Sequence, residues 1–265
     1  LIANGKLRTS NGITEPNAGS DVSSIETTAT TAIEKDGYFV VNGTKIFNQA
    51  HNAEYITAIV RTDPSLPKRR GMSVLLIDLK SQGVTVSPTL IELSGWVRSE
   101  VCFQDVYVPE VNLLGEKNGG WGYLIGKYLP VERLSVATVD LGELFRVFEE
   151  LIEYIRGTRR DGQIIINVPY VRSMIADMWL ELLASRLLIY HANWKIEKGE
   201  DASQDANMTK LYFSEVNDRF SNAMMEIMGQ YGELEILNSY TKWLRLGGRA
   251  AYLYNHCRTD QTGGG

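Results

Sequence analysis

The sequence predicts a β + α protein: an antiparallel β-sandwich or barrel domain followed by an all-α, up-and-down four-helix bundle. Three observations carry this. Hydrophobic periodicity stays near two residues through the first half, then changes to about 3.6 residues beyond a Gly-rich bend at Gly115–Gly122. Turn dipeptides separate short β-branched runs in the first half. The links between the later periodic segments are short, which implies antiparallel neighbours in a bundle. The β-domain is expected over 1–115 and the helical domain over 116–265.

Each element has a local reason. Thr27–Ile33 is rich in β-branched residues and reads as a strand. Asp36-Gly37 marks a hairpin turn, Tyr38–Val41 returns, and Asn42-Gly43 marks a second turn. Thr44–Phe47 and Tyr55–Arg61 continue the pattern. Thr62–Gly71 holds two prolines and the Lys68-Arg69-Arg70 cluster, so it is a loop. Met72–Leu79, Val84–Pro88 and Glu100–Val108 complete the strands. Four helices follow, over about Gly122–Gly157, Pro169–Gly199, Ser203–Gly229 and Glu233–Cys257. Gly199 terminates the second, and Ser203 is expected to N-cap the third ahead of Asp205.

Composition excludes several functions. A hydrophobic content of 44% supports a sizeable core, and a net charge of -5 argues against an electrostatic nucleic-acid binder or a polybasic membrane-surface protein. No apolar run reaches bilayer-spanning length, so no membrane insertion is expected. Cys102 and Cys257 have no metal or redox spacing, which makes a reduced, intracellular chain the simpler reading. His51, His191 and His256 lack the spacing of a histidine metal site, so no metal is expected. A cytoplasmic location follows, or the mitochondrial matrix in a eukaryote.

The densest loop chemistry lies in Ile13-Thr14-Glu15-Pro16-Asn17-Ala18-Gly19-Ser20-Asp21. Pro16 fixes a backbone angle, Gly19 permits close approach, and Thr14, Asn17, Ser20 and Asp21 offer short polar groups. Such a turn suits an anionic or heteroaromatic ligand, or is simply a polar loop entering a sheet.

Four motifs in order resemble the acyl-CoA dehydrogenase family of flavoproteins. Thr14–Asp21 is similar to the family's T/S-E-P-x-A-G-S-D signature. Gly37-Tyr38 through Asn42-Gly43-Thr44-Lys45 resembles the strand pair that follows. Phe103-Gln104-Asp105-Val106-Tyr107-Val108-Pro109 resembles F-x-D-V-x-V-P, and Leu113-Leu114-Gly115-Glu116 leads into the helical domain as in the family. Family members carry an N-terminal helical domain before the T-E-P motif. The resemblance therefore implies a fragment lacking that domain.

The activity so implied is α,β-dehydrogenation of an acyl-CoA thioester to the enoyl-CoA. A carboxylate takes the α-proton and the β-hydrogen leaves as hydride to flavin N5 of FAD. Ile13 and Thr14 match positions that touch the isoalloxazine ring. Ser20 either meets the flavin phosphates or substrate, or caps its own turn. Where the family often reads W-I-T, this chain has Phe47-Asn48-Gln49, so Phe47 either packs on a ring face or joins the core, and Gln49 replaces the threonine expected near N5. A C-terminal Y-E-G-T glutamate is replaced by Thr262-Gly263-Gly264-Gly265. A subset of the family instead carries the base on the first long helix, and Leu129-Pro130-Val131-Glu132-Arg133-Leu134 resembles that subset, which makes Glu132 the candidate base. Arg133 either contacts the CoA side of the substrate or pairs with a carboxylate.

The family's R-x-x-F-G segment corresponds to Thr158-Arg159-Arg160-Asp161-Gly162, where Arg159 or Arg160 is expected to reach the pyrophosphate. Its Q-x-x-G-G-x-G segment corresponds to Glu226–Gly232, where Gly229 and Gly232 fit a tight helix end near the adenine part and Gly229 and Gln230 are the implied cofactor-binding residues. These departures resemble the branch acting on bulky, cyclic or dicarboxylic acyl groups. Electron-transfer flavoprotein is the implied electron acceptor. A homodimer or a dimer of dimers (a homotetramer) is the implied assembly, with non-identical subunits known in that branch. Two alternatives remain open: a non-catalytic partner subunit of a heteromeric dehydrogenase, and a flavin oxidase or monooxygenase of the same fold.

Overall fold

The computed structural model describes residues 2–27, 31–35, 37–235 and 244–263. The chain divides into two compact units, one up to Lys127 and one from Tyr128 on. The first is built on a sheet of eight strands among the described residues: β1 (Thr9–Gly12), β2 (Thr31–Lys35), β3 (Tyr38–Asn48), β4 (Tyr55–Arg61), β5 (Met72–Asp78), β6 (Val84–Ile91), β7 (Val97–Pro109) and β8 (Leu113–Leu114). Their order is β6-β7-β3-β2-β4-β5-β8, with β1 added beside β4. Most pairings are antiparallel, as expected. The β1–β4 and β2–β4 pairings are parallel.

Alternation explains the core. Phe39, Val41 and Lys45 of β3 share the inward register and are buried. The two hydrophobics among them pack with Ile56, Leu75, Val101 and Phe103. Strand β4 is buried on both faces. Ile56, Ala58 and Val60 face that cluster, while Ile59 packs with Met72, Val74, Ile25 and Ala18. Ala18 thereby ties the Pro16–Asp21 turn to the sheet.

Several expected boundaries shift. Asn42-Gly43 is not a turn, because β3 runs through it to Asn48. The β3–β7 register slips there, with an extra residue on the β7 side. The Asn42 amide fills the irregularity, donating to Asp105 Oδ1 at 3.1 Å and accepting the Asp105 N–H at 2.8 Å. At the other expected turn, Asp36 lies outside the described residues. Gly37 has φ 80°, and the β2–β3 pairing runs up to Lys35↔Tyr38. Of the expected strand Thr27–Ile33, residues 28–30 lie outside the described set. Val22–Thr27 is a 3-10 helix. β7 begins three residues before the expected Glu100 and ends one beyond Val108.

A short helix, α1 (Gly120–Tyr123), closes the first unit. Gly120 is required there, since a Cβ would lie 2.8 Å from the Met72 carbonyl oxygen. A π-turn at Leu124–Tyr128 then leads into α2 (Leu129–Gly157). The expected first helix is thus broken at its start, which puts Glu132 in the opening turn of α2.

The second unit continues through a small hairpin, β9 (Arg159–Arg160) and β10 (Gln163–Ile164), to α3 (Pro169–Glu197), α4 (Ser203–Met228) and α5 (Arg249–Thr262). Helix α4 packs against α2, α3 and α5. On α2 the buried residues Ala137, Leu141, Leu144, Phe148, Leu151 and Ile155 recur at three- and four-residue steps. They meet Leu182, Phe213, Phe220 and Met224 in one core. Burial of each large side chain is worth about 1.5–3 kcal/mol, so this stripe holds the bundle together.

Two helix ends differ from expectation. Ala202, not Ser203, occupies the N-cap position of α4. Asp201 accepts both the Ser203 N–H (2.9 Å) and its hydroxyl (2.6 Å), so the carboxylate supplies the capping acceptor. The fourth helix was expected over Glu233–Cys257, of which residues 236–243 lie outside the described set. Its described helical part is α5, which begins only at Arg249. Gly247 and Gly248 take left-handed φ values of 59° and 75° immediately before it, and they end any helix arriving from upstream. No described helix is long and apolar enough to cross a membrane.

Candidate functional site

In the first unit two segments expected to share a site meet. Lys45 Nζ donates to the Ile13 carbonyl at 3.1 Å, and the Ile46 N–H donates to the Thr14 carbonyl at 2.9 Å. Close by, the Gln49 N–H donates to Ser10 Oγ at 3.0 Å. Glu15 and Ala18 exchange two backbone hydrogen bonds across the turn between them. Ile13 and Thr14 are half-buried, whereas Phe47 and Gln49 are exposed. Phe47 is therefore not a core residue. It is 56% exposed, with a left-handed φ of 58° that is unusual for an aromatic residue. Asn48 is buried. It donates to the Lys45 carbonyl and accepts the Ala50 N–H, which fixes the bend after Phe47.

This surface combines an outward aromatic face, an aliphatic neighbour, a hydroxyl and a primary amide. Such a donor set suits a flat heteroaromatic ligand with polar edges. Gly12 belongs to the same wall. A Cβ there would lie 2.8 Å from the Ile56 side chain. Ser20 is exposed. Its neighbour Asp21 accepts the Ser23 hydroxyl at 2.6 Å, and that bond holds the Asp21 carboxyl below its ordinary pKa.

In the second unit the candidate base is held from within its own helix. Tyr128 OH donates to Glu132 Oε1 at 3.1 Å, four residues apart. Burial pushes the Glu132 carboxyl up from its ordinary pKa. The Tyr128 hydrogen bond and the charges of Arg133 and Lys210 oppose that shift. Arg133 donates to Asn207 of α4. Lys210, one turn along α4, is buried and donates to the Gln261 carbonyl of α5 at 3.2 Å. Glu132 therefore sits where α2 faces two polar residues of α4. A half-buried carboxylate with a raised proton affinity suits general-base work near neutral pH.

The hairpin and the end of α4 also come together in this unit. Arg160 Nη2 donates to the Ile227 carbonyl at 2.6 Å, and a Cβ on Gly229 would lie 3.5 Å from the same nitrogen. Gly229 caps α4 at φ 57°. Arg160 is half-buried, and burial raises the nearby Tyr154 phenol while Arg160 and Arg245 pull it down. The guanidinium beside a glycine suits a phosphate group. Arg159 is placed differently, exposed and bonded to the Gly162 carbonyl at 3.0 Å. Gln230 is exposed beside Gly229.

Three residues of these surroundings were not singled out as site residues from the sequence. Lys45 carried a signal, being a charge on the inward register of an alternating strand. Tyr128 carried a weaker one, four residues before a carboxylate. Lys210 carried none, because a lysine among helical polar residues reads as solvated.

Comparison with known proteins agrees with this layout. The family model for the acyl-CoA dehydrogenase middle domain matches residues 10–106, and that for the acyl-CoA dehydrogenase C-terminal domain matches residues 118–265. The chain is 33% identical to the caffeyl-CoA reductase-Etf complex subunit CarC of Acetobacterium woodii, over 88% of this chain and 61% of that protein. It is 32% identical to the cyclohexane-1-carbonyl-CoA dehydrogenase of Geobacter metallireducens, over 84% of this chain and 58% of that protein. A solved structure of PigA with FAD and proline superposes with a TM-score of 0.87 at 25% identity, covering 100% of this chain and 66% of PigA. The chain thus spans about three fifths of the curated relatives it matches. With both domain models matched in order, the chain belongs to the acyl-CoA dehydrogenase family.

Proposed function

We propose that the whole protein is an FAD-dependent acyl-CoA dehydrogenase in which Glu132 removes the α-proton of an acyl-CoA thioester. The observation that carries this is Glu132 itself: half-buried, hydrogen-bonded by Tyr128 and raised in proton affinity by burial. When bound, the flavin supplies the hydride acceptor. Ile13, Thr14, Phe47 and Gln49 line its ring, and Asn48 fixes the bend that presents Phe47. Arg160 and Gly229 receive a pyrophosphate, with Gln230 alongside. Arg159 and Ser20 are exposed and make weaker candidates for the phosphates. The β-domain, 1–115, binds flavin and acyl-CoA, and the helical domain, 116–265, carries the base and the dimer contacts.

The chemistry follows from the residues. A carboxylate in water is too weak a base for an α-proton. Burial of Glu132 raises its affinity for that proton, and a bound acyl chain would exclude more water. Tyr128 keeps the carboxylate in one rotamer. Arg133 is held by Asn207, so its charge stays beside the base rather than roaming in solvent. A bulky or cyclic acyl group is the proposed substrate class, as the relatives acting on caffeyl-CoA and cyclohexane-1-carbonyl-CoA suggest by name. An electron-transfer flavoprotein is the proposed acceptor, in keeping with the Etf complex of CarC. The assembly is a dimer or dimer of dimers.

Anaerobic titration of the full-length, flavin-loaded protein with an acyl-CoA series tests this. Bulky or cyclic saturated acyl-CoA should bleach the flavin band, and steady-state turnover in air should consume little oxygen. A bound flavin that no acyl-CoA reduces would contradict the dehydrogenase reading. Rapid oxygen uptake would replace it with an oxidase.

A further inference from the structure

Glu15 and Lys45 form an ion pair whose two side chains have no solvent exposure, with Nζ 2.7 Å from Oε1. Taking two charges out of water costs more than a well-packed apolar pair would, so stability is a poor explanation for keeping them. Burial pulls Lys45 down to about 8 even though the charge and hydrogen bond of Glu15 pull it up. The ammonium does something an apolar group cannot. It binds the Glu15 carboxylate and, at 3.1 Å, the main-chain carbonyl of Ile13 two residues upstream. Both ends of Ile13–Glu15 are thereby tied to one atom of β3. The Thr14 carbonyl, between them, is held by the next β3 residue through the Ile46 N–H. The turn after Glu15 is closed by its two backbone bonds with Ala18.

We propose that Glu15 and Lys45 are a positioning pair that locks the Ile13–Ala18 loop against the end of β3 and so fixes the wall on which the flavin ring rests. The proposal deepens the flavin reading above and rests on it. Fully buried, neither residue meets a ligand at the surface. Their action passes through the Ile13 and Thr14 main chain and through Phe47, two residues beyond Lys45. A loop carrying Pro16 and Gly19 has few side-chain anchors of its own, and the buried charge supplies one that is directional.

The test compares the full-length protein with the double variant Glu15→Leu/Lys45→Met, which removes both charges at similar volume. A second double variant, Glu15→Gln/Lys45→Gln, guards against a packing fault in the first. Melting temperature, amide exchange at Glu15, Ala18 and Ile46, and the FAD dissociation constant are measured on each. At least one double variant should melt within a few degrees of the parent. In it, exchange at those amides and the FAD dissociation constant should each rise about tenfold or more, the scale of losing one charge-assisted hydrogen bond. Loop exchange equal to that of the parent overturns the proposal, as does a loosened loop with unchanged flavin affinity. Failure of both double variants to fold makes the pair a stability element and also overturns it. If the parent itself takes up no flavin, the flavin reading fails separately, and the exchange data still decide whether the pair locks the loop.

Discussion

Glu132 is where the proposed chemistry concentrates, and its environment has two separable consequences. A carboxyl whose folded pKa is raised above its ordinary 4.5 contributes stability that is complete below the unfolded value and is lost as pH rises through the folded one. Glu132→Gln should therefore melt above the parent at pH 7 to 8, with the gap closing near pH 4. A variant that melts below the parent at neutral pH would mean the carboxylate is held as an ion pair instead. Lys210 lowers the Glu132 pKa and is buried nearby on α4. Lys210→Met should thus move the acid limb of the kcat/KM profile to higher pH. An unmoved limb would show that the two charges do not communicate. Glu132 was legible as a candidate through the resemblance of Leu129–Leu134 to the family subset that carries its base on the first long helix, since a glutamate on a helix otherwise reads as solvated. Its hydrogen bond from Tyr128 follows the four-residue spacing of a helix, whereas no local residue pattern announces the π-turn at Leu124–Tyr128.

Several elements built on alternation or on three- and four-residue steps were legible in the sequence. β4 is the expected Tyr55–Arg61 to the residue, and α3 and α4 begin where expected. Local turn chemistry misled where tertiary pairing overrode it. Asn42-Gly43 has the composition of a hairpin turn, but β7 lies alongside and takes it as one side of an irregular ladder. That irregularity fixes a neighbour. Gly83 has φ 88°, its carbonyl accepts the Gln104 N–H at 2.9 Å, and a Cβ would lie 2.1 Å from the Gln104 carbonyl oxygen. Gly83→Ala should destabilise the β-rich unit by more than about 1 kcal/mol, since both backbone angle and space forbid the side chain. Denaturant melts with a fluorescence probe would show it. A neutral substitution would mean the β5–β6 connection relaxes freely.

The chain divides into a β-rich unit up to Lys127 and a helical unit from Tyr128 on, and the change of hydrophobic period near Gly115–Gly122 marks the same change of texture in the sequence. Individual ligand contacts were less visible. The proposed flavin wall rests on a buried lysine, an outward phenylalanine in a left-handed conformation and a bend fixed by Asn48. The departures Thr158, Asp161 and Gln49 read as losses in the motif, yet Asp161 takes the left-handed φ of 49° that the β9–β10 turn requires, and Arg160 still reaches the end of α4. The central claim is that Glu132 takes the α-proton while other residues hold the flavin. The most direct measurement is α-hydrogen exchange from D2O into a saturated acyl-CoA, made beside flavin bleaching, in the flavin-loaded full-length protein and its Glu132→Gln variant. The variant should keep its flavin spectrum and lose about 10²–10⁴-fold in both rates, the range for removing a general base. Exchange and bleaching at the parent's rates, with flavin still bound, would show that another group takes the proton.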